Sequence, residues 1–409
     1  MTIKVLAIGD VGNILQTIRK FTKKSEIYII NFYKDGAGIY TYSEYEEIFP
    51  NYKVSDHVKR INEIKHGFDI CITMGIGERI AYLADLNYVV FYVGRDIDTP
   101  RFIKNSKEIF YKEPYRKLNF LERWFYKNAF KNARAHLAYA WVYEYLKKYT
   151  ENGIKLDMVP VDPTVFNTDV KPIEGEKKKF TFFSPQRMGL PKGTDLIWKA
   201  LPLCKSDFEI IQVDWFEVAT EEELKIKEEL LRTKPPQVKL IPMINRNDMP
   251  KYYKYADAVL GNMRIGTYAL IELEAVTCKK PVIMYTDPKM KIVVNGKEVK
   301  SPFLPIVNDP KTIAETIDKV VVLEDFRNKL LEEEYKFVQE ISSAEKVAEW
   351  WDAFLEQMVK KHKTITKNTS QIRLKFRLWF FLIVNRLYWE KIKKVIQYYK
   401  THKFVIKHK

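Results

Sequence analysis

The chain has 409 residues, enough for about two domains, and its 46% hydrophobic and 30% charged residues are typical of a folded protein with real cores. Only 15 Gly and 18 Pro are present, which excludes collagen-like and low-complexity chains. The three cysteines (Cys71, Cys204 and Cys278) are odd in number, far apart and form no Cys-x-x-Cys pair. This usage argues against a disulfide framework or a zinc finger and fits a reducing compartment.

Positive charge is concentrated at the end of the chain. Of the net charge of +16, residues 361–409 contribute +13, from 11 Lys and 3 Arg against the single acid Glu390. The nearly balanced remainder disfavours a nucleic-acid-binding surface over the whole protein. We expect no signal peptide, because Met-Thr-Ile-Lys-Val leads directly into a strand. The longest apolar run, Leu378–Val384, is far shorter than the ~20 residues of a membrane-spanning helix.

The first part of the chain alternates between predicted strands and helices. Ile3–Ile8 is apolar except for Lys4, which predicts a buried parallel strand, and a helix follows through Lys23. The next predicted elements are strands at Glu26–Phe32, Phe68–Thr73, Tyr88–Val93 and Leu156–Val159, a helix at Gly77–Ala84, and helical structure over 115–150. Such alternation predicts βαβ units and a parallel sheet.

The segment Pro160–Lys179 combines three prolines with a run of charges and is predicted to link two domains. The alternation then restarts, with predicted strands at Phe180–Ser184, Phe208–Val213, Val238–Ile241, Ala258–Leu260 and Pro281–Tyr285. The predicted helices between and after them are Gly193–Leu203, Glu221–Arg232, Asp248–Tyr255, Tyr268–Cys278 and the segment 310–360. The sequence therefore predicts two consecutive α/β domains of similar size.

Two strand-to-helix turns carry residues suited to an anionic ligand. Gly12 and Asn13 lie in the turn after the first strand, where glycine lets the backbone approach a ligand and a helix begins. Arg187 and Lys192 lie in the loop after the first strand of the second domain, where two cations can clamp a diphosphate. The alternative for Gly12 and Asn13 is a tight turn without a ligand, and the alternative for Arg187 and Lys192 is a pair of solvated charges.

Glu274 lies on a predicted helix of the second domain, where a carboxylate that faces a cleft can accept hydrogen bonds from both hydroxyls of a ribose. Glu272, two residues earlier, points off another side of this helix. A solvated helix face is the alternative for either residue.

Several segments together resemble the family 4 retaining glycosyltransferases. The first is Phe182–Gly193 with Thr194 and Asp195, which resembles the family's Arg…Lys-Gly-x-Asp segment. Further segments follow the order of the family: Gly94-Arg95-Asp96-Ile97, Val159–Phe166, Leu240–Pro242, Asp248–Ala258 and Gly266–Ile283. The resemblance covers most of residues 1–355. It implies the GT-B fold, α/β with two Rossmann-like domains that face each other across a cleft, which holds the active site.

The resemblance also implies roles for individual residues. Arg187 and Lys192 would be catalytic through stabilisation of the departing diphosphate, and Glu274 would bind the nucleotide ribose. Gly12, Asn13, Gly266 and Thr267 would complete the donor site, and Arg95 and Asp96 would lie on the acceptor side. The chain departs from the family's Glu-x7-Glu pattern, because Gly266 stands where the family has the glutamate that contacts the donor sugar.

We therefore expect an acceptor domain at 1–165, a donor domain at 175–345, a terminal helix at 346–362 that crosses back to the first domain, and a basic aromatic tail at 363–409. The expected function is metal-independent hexosyl transfer, with retention and without a cofactor, from a nucleotide sugar to a lipid-linked or cell-surface glycan. The alternatives are a degenerate sugar-nucleotide-binding protein, a nucleotide-sugar epimerase, and a nucleic-acid-associated protein that uses the tail.

The tail interleaves bulky apolar side chains with cations over residues 371–400. Such a segment can lie in the interface of an anionic membrane, with aromatic rings inserted and Lys and Arg on the headgroups. We accordingly expect a cytoplasmic protein, peripheral on the inner face of the cell membrane, with no nucleic-acid partner. A helix that docks on the first domain with solvated charges is the alternative.

Overall fold

The computed structural model describes residues 2–32, 45–49, 53–98, 100–104, 118–218, 220–290, 292–294, 297–362, 364–367, 369–370 and 372–383. Two parallel sheets organise them, one in each half of the chain. Predominantly apolar segments such as Ile3–Ile8 and Phe180–Ser184 form interior strands of these sheets, since helices cover both faces of a parallel sheet.

The first domain contains a seven-stranded parallel sheet in the order β3-β2-β1-β4-β5-β6-β7. Its strands are β1 (Ile3–Ile8), β2 (Ser25–Phe32), β3 (Glu47–Phe49), β4 (Ile70–Thr73), β5 (Tyr88–Tyr92), β6 (Ala135–Tyr139) and β7 (Gly153–Leu156). Its helices are α1 (Ile14–Phe21), α2 (Val54–Ile64), α3 (Gly77–Leu83), α4 (Arg95–Asp98), α5 (Phe120–Asn132) and α6 (Ala140–Leu146).

The second domain contains a five-stranded parallel sheet in the order β10-β9-β8-β11-β12 and a separate antiparallel pair, β13 and β14. The strands are β8 (Phe180–Ser184), β9 (Phe208–Val213), β10 (Val238–Ile241), β11 (Ala258–Leu260), β12 (Val282–Ile283), β13 (Ile292–Val294) and β14 (Lys297–Val299). The helices are α7 (Thr194–Ala200), α8 (Glu221–Arg232), α9 (Met249–Tyr255), α10 (Leu270–Thr277), α11 (Pro310–Val322) and α12 (Glu324–Ile341).

The next helix, α13 (Ala344–Lys361), packs on α1 of the first domain. The Asp352 carboxylate accepts hydrogen bonds from the backbone N–H groups of Lys23 and Lys24, at 2.8 and 3.0 Å. Trp351 is buried against Phe91 of β5, with the ring centroids 5.5 Å apart. The chain therefore covers the first sheet again after it has built the second.

A last helix, α14 (residues 372–383), lies on the first domain. Arg377 donates a hydrogen bond to the carbonyl oxygen of Tyr82 at 2.7 Å and forms a 3.5 Å ion pair with Asp85. Residues 384–409 of the expected tail lie outside the described residues. Within the described part of the chain, no helix has the length and hydropathy to cross a membrane.

Two of the sequence-based elements need correction. The predicted helical stretch 115–150 is interrupted by β6, a fully buried strand between β5 and β7. Its five residues are too few to stand out between the two flanking helices. The strand expected at Leu156–Val159 is β7, which ends at Leu156, because the register with β6 pairs Gly153–Leu156 with His136–Tyr139.

Candidate functional site

The loop after β1 meets the second domain at the start of α10. A Cβ atom added to Gly12, whose φ is +68°, would lie 2.8 Å from Leu270 Cδ1. Nearby, the Tyr268 hydroxyl donates to the carbonyl oxygen of Asp157 at 3.4 Å. Glycine favours this left-handed turn and the close approach to Leu270, and the carboxyl ends of parallel strands are where open α/β sheets bind ligands. The two domains therefore enclose a cleft at this edge.

The first-domain side of the cleft is built on Asp10. Its two carboxylate oxygens accept hydrogen bonds from the backbone N–H groups of Leu15 and Gln16, both at 3.0 Å, and so fix the first turn of α1. Burial raises the pKa of Asp10 to about 6, although these hydrogen bonds and the positive charge of Arg246 oppose the rise. Arg246 belongs to the second domain, so charges from both domains interact here.

Asn13, the residue predicted beside Gly12, adopts a left-handed conformation with φ +58° and is fully buried. Its Oδ1 atom accepts a hydrogen bond from the Tyr45 hydroxyl. Its Nδ2 atom has no hydrogen-bond partner among the described residues. Asn13 thus keeps one buried donor at the turn after β1.

The second-domain side of the cleft begins with the loop after β8. Arg187 forms an ion pair with Glu217, a residue that the sequence analysis did not single out. Lys192 is half-buried, and its carbonyl oxygen accepts a hydrogen bond from Met263 N at 3.0 Å. Gly193, at φ +73°, packs so closely on Met263 that an added Cβ would lie 3.0 Å from it. The loop that carries both predicted cations is therefore fixed against the loop after β11.

A further cation is part of this arrangement. Arg264 follows Met263 in the loop after β11, and its guanidinium contacts the two carboxylate oxygens of Asp195 at 2.7 and 2.6 Å. Asp195 lies in the first turn of α7, directly behind the Lys192 loop. Arg187, Lys192 and Arg264 thus all belong to two adjacent loops, although each arginine already contacts a carboxylate.

Glu274, the predicted ribose ligand, is fully buried on α10 and forms an ion pair with Arg246 through its Oε1 atom. Its Oε2 atom has no hydrogen-bond partner among the described residues. Burial raises the pKa of Glu274 to about 7 against the opposing charge of Arg246. The Arg246 guanidinium also lies over the ring of Phe166, 5.1 Å from its centroid. No local sequence pattern marks Arg246, because only the tertiary fold brings it to Glu274.

Glu272, the other acid of α10, has a different role. Its Oε2 atom accepts a hydrogen bond from the Ala269 backbone N–H at 2.9 Å, and its Oε1 atom accepts one from Asn262 N at 3.0 Å. These contacts cap the helix and attach its start to the end of β11. Both carboxylate oxygens of Glu272 are thereby engaged by the backbone.

Gly266 and Thr267 lie in the loop between β11 and α10. Gly266 has φ +79°, and a Cβ atom there would lie 2.8 Å from Asp287 Cβ and 3.0 Å from Tyr285 Cε1. The carbonyl oxygen of Thr267 accepts a hydrogen bond from Asn262 Nδ2 at 2.8 Å. The backbone of this loop therefore requires glycine at 266 and leaves no room there for the family's first glutamate.

The predicted acceptor-side residues lie after β5. Asp96 accepts a hydrogen bond from the Gly94 backbone N–H at 3.0 Å, and burial raises its pKa. The side chain of Arg95 is outside the described part of the structure. Glu78, which the sequence analysis did not select, interacts electrostatically with Asp96 and Arg101, and burial raises its pKa to about 7. The Tyr92 hydroxyl donates to Glu78 Oε2 at 3.2 Å.

No group of three or more His, Cys, Asp and Glu side chains suited to a metal ion occurs among the residues that the structure describes. Beside the carboxylates of Glu217 and Asp195, the second-domain loops of the cleft carry three cations, Arg187, Lys192 and Arg264. Such groups favour an anionic ligand.

The second domain matches a known protein family. Residues 166–337 match the family model of glycosyl transferases group 1, which covers most of the second domain. Comparison with curated proteins gives no match.

Solved structures share the architecture over most of the chain. A structure of Anabaena HepE in complex with UDP and glucose has a TM-score of 0.62 at 14% identity, over 87% of this chain and 100% of that one. Sucrose-phosphate synthase from Thermosynechococcus elongatus has a TM-score of 0.64 at 12% identity, over 88% and 100%. An alpha-glucosyltransferase in complex with UDP has a TM-score of 0.60 at 9% identity, over 87% and 100%.

The two parallel-sheet domains and this shared architecture define a GT-B, Rossmann-like fold. The family match in the second domain supports a group 1 glycosyltransferase.

Proposed function

We propose that the protein transfers a hexose from a nucleotide sugar to an acceptor, with the donor bound by the second domain and the acceptor by the first. The observation that carries the proposal is the cleft itself, where the loops after β1, β8 and β11 converge. The group 1 match over residues 166–337 supports a donor domain, and structures of similar fold are described as complexes with UDP.

Arg187 and Lys192 are proposed to bind the donor diphosphate. Arg187 is already paired with Glu217, so binding would exchange a single carboxylate for a more highly charged diphosphate. Charge-assisted bonds of this kind are typically worth roughly 1.5–3 kcal/mol. As the sugar–phosphate bond breaks, negative charge grows on the departing diphosphate, and the two cations would stabilise it without a metal ion.

Glu274 is proposed to bind the nucleotide ribose through its Oε2 atom. Arg246 fixes the other carboxylate oxygen, which leaves Oε2 as the acceptor available to a hydroxyl donor. Backbone groups of Gly266 and Thr267, together with Gly12 and the Asn13 amide, would line the remainder of the donor site.

Transfer is proposed to retain the configuration of the donor sugar. In this route the departing phosphate accepts the proton of the acceptor hydroxyl, so the enzyme needs no separate base. Alignment of the acceptor with the donor in a cleft that excludes water would supply the rest of the acceleration. No cofactor is required for this chemistry.

The acceptor is proposed to be a lipid-linked or cell-surface glycan. Asp96 and Arg95 would lie on the acceptor side of the cleft, and residues 371–400 would hold the protein on the inner, cytoplasmic face of the membrane. Exposed aromatic side chains and cations on α14 support this location.

Gly266 also favours a second candidate, a sugar-nucleotide-binding protein without transferase activity, or an epimerase. The test is mass spectrometry of the products after incubation with a panel of nucleotide sugars and a membrane lipid extract. Release of the nucleoside diphosphate with a glycosylated lipid supports transfer. Donor binding without release supports the degenerate protein, and a changed donor sugar with no acceptor product supports the epimerase.

A further inference from the structure

The last described helix, α14, is attached to the first domain by defined contacts. Besides its bonds to Tyr82 and Asp85, the Arg377 guanidinium lies 4.4 Å from the centroid of the Tyr82 ring. Phe381 is buried against Phe125 of α5, with the ring centroids 4.9 Å apart. Just before the helix, the Thr369 hydroxyl donates to Asp85 at 2.7 Å. The helix is therefore a fixed part of the first-domain surface.

α14 and α5 together expose a continuous row of aromatic rings. Trp124 of α5 contacts Phe380, Phe380 stacks on Phe376, and Phe376 contacts Trp379, with centroid distances of 6.2, 6.3 and 5.8 Å. Trp124, Phe376 and Trp379 are 42%, 61% and 55% exposed. Phe120, one turn before Trp124, is 66% exposed. We call Phe120, Trp124, Phe376, Trp379 and Phe380 the aromatic surface.

Cations surround the aromatic surface. Lys127 and Lys131 of α5 are exposed, as are Arg373 and Lys375 of α14. Glu122 is the one acidic residue within the two helices, and its carboxylate caps the start of α5 by accepting from Asn119 N at 3.2 Å. Two copies of this face would bring like charges together, whereas an anionic bilayer attracts the cations and accepts the rings.

We infer that α5 and α14 form one docking surface, which inserts the aromatic surface into the headgroup region of an anionic membrane. The inference extends the membrane contact proposed above from the tail to the first domain, and it rests on that part of the proposed function. A monomeric soluble protein rarely exposes so many adjoining large apolar side chains. Trp and Phe flanked by Lys and Arg are the residues that membrane-interface helices use.

The docking surface adjoins the proposed acceptor side. Tyr126, on the buried side of α5, is covered by the guanidinium groups of Arg79 and Arg101, at 4.8 and 5.3 Å from its ring centroid. Arg101 also donates a hydrogen bond to the carbonyl oxygen of Gly75 at 2.9 Å. Its positive charge opposes the rise that burial causes in the pKa of Glu78 and of Asp96. Membrane contact through α5 would therefore place this side of the cleft next to the lipid, where a lipid-linked acceptor resides.

The test is co-sedimentation of the full chain with vesicles of phosphatidylcholine alone or mixed with phosphatidylglycerol. The decisive variant is Phe120→Ser/Trp124→Ser, which leaves residues 371–400 intact. We expect its partition onto the mixed vesicles to fall by about tenfold or more, because two inserting rings are lost. The matched control is Leu203→Ser/Val322→Ser, which changes two apolar residues of the second domain that are 52% and 67% exposed and should bind like the parent chain.

Equal vesicle binding by the parent chain and the Phe120→Ser/Trp124→Ser variant would overturn the inference, as would equal binding to neutral and anionic vesicles. A shift from dimer to monomer in that variant, without a change in vesicle binding, would assign the surface to a second copy and also overturn it. Thermal unfolding of the variant checks its fold. Calorimetric titration of a nucleoside diphosphate without vesicles tests the donor site separately. A failure of the proposed donor binding can therefore be told apart from a failure of the docking surface.

Discussion

At the residue scale, the cleft depends on Arg246, a cation between acids of both domains. It forms an ion pair with Glu274 and opposes the rise that burial causes in the pKa of Asp10, while the Phe166 ring covers its guanidinium. Breaking a buried pair by removal of one partner leaves an uncompensated charge, which typically costs about 3–5 kcal/mol. Any variant of this group therefore changes stability as well as binding, and the two effects need separate measurements.

We predict that at pH 8, above the pKa of Glu274, the change Glu274→Gln lowers the free energy of unfolding by about 3 kcal/mol, because Arg246 loses its anion. The variant should also bind a nucleoside diphosphate more weakly, because the ribose loses an anionic acceptor, while its affinity for inorganic pyrophosphate stays the same. Urea unfolding measures the first effect and calorimetry the second.

The control for this prediction is the double variant Arg246→Gln/Glu274→Gln, which removes both buried charges. It should regain most of the lost stability without regaining the preference for the nucleoside diphosphate over pyrophosphate. Recovery of both would assign Glu274 to folding alone.

The second residue-scale prediction concerns the pH dependence of stability through Glu78. Burial raises its pKa from 4.5 to about 7, so between those values the folded state binds the proton more tightly than the unfolded chain. The contribution of Glu78 to stability is therefore fully present below about pH 4.5 and is lost as the pH rises through about 7. Glu78→Gln removes this contribution, so the loss of stability between pH 4 and pH 8 should be smaller than in the parent chain by at most about 3 kcal/mol. If the free energy of unfolding changes by the same amount between pH 4 and pH 8 in the parent chain and in the Glu78→Gln variant, the assignment is refuted.

At the element scale, the loop between β11 and α10 is held by Asn262 and Glu272. Asn262 Nδ2 donates to the carbonyl oxygen of Thr267, its Oδ1 accepts from Ile265 N at 3.1 Å, and Glu272 attaches the loop to the helix start. The family's first glutamate position falls within this loop, at a backbone conformation that favours glycine. The departure at Gly266 thus has a steric cause in this chain.

We predict that Gly266→Ala lowers the free energy of unfolding by about 1–3 kcal/mol, through a left-handed φ and a clash with Asp287. Gly266→Glu should be at least as unstable and should not raise the rate of sugar transfer. Gly67→Ala is the matched control, because a Cβ atom there meets nothing within 4 Å. Higher activity of Gly266→Glu at unchanged stability would contradict this account of the loop.

The elements that could be predicted from the sequence were those with strong local patterns. β1 is apolar apart from one lysine and β8 contains three phenylalanines, and the loops after them carry Gly12, Arg187 and Lys192 as expected. β6 and the β13–β14 pair were missed because β6 lies between two helical segments with similar aromatic composition and β13 and β14 have only three residues each. Arg246 and Glu217 could not be found, since only tertiary contact brings them to Glu274 and Arg187. The contact between α5 and α14 likewise joins segments about 250 residues apart in the sequence.

At the scale of the whole molecule, the two domains meet through close backbone approach and buried charge. Gly12 contacts Leu270, Arg246 acts on Asp10, and α13 returns to cover the first sheet. These contacts leave the loops after β1, β8 and β11 facing one cleft. The proposed reaction depends most directly on binding of the donor diphosphate by the cations of the β8 loop, Arg187 and Lys192.

The most direct test is calorimetric titration of UDP, GDP and ADP into the parent chain and into Arg187→Ala, Lys192→Ala and Lys199→Ala. Lys199, an exposed lysine on α7, is the control for loss of one positive charge near the site. We predict saturable binding of at least one diphosphate, weakened about tenfold or more by each of the first two changes and unaltered by the third. Equal affinity in all four proteins, or no binding of any diphosphate to the parent chain, would contradict the central claim.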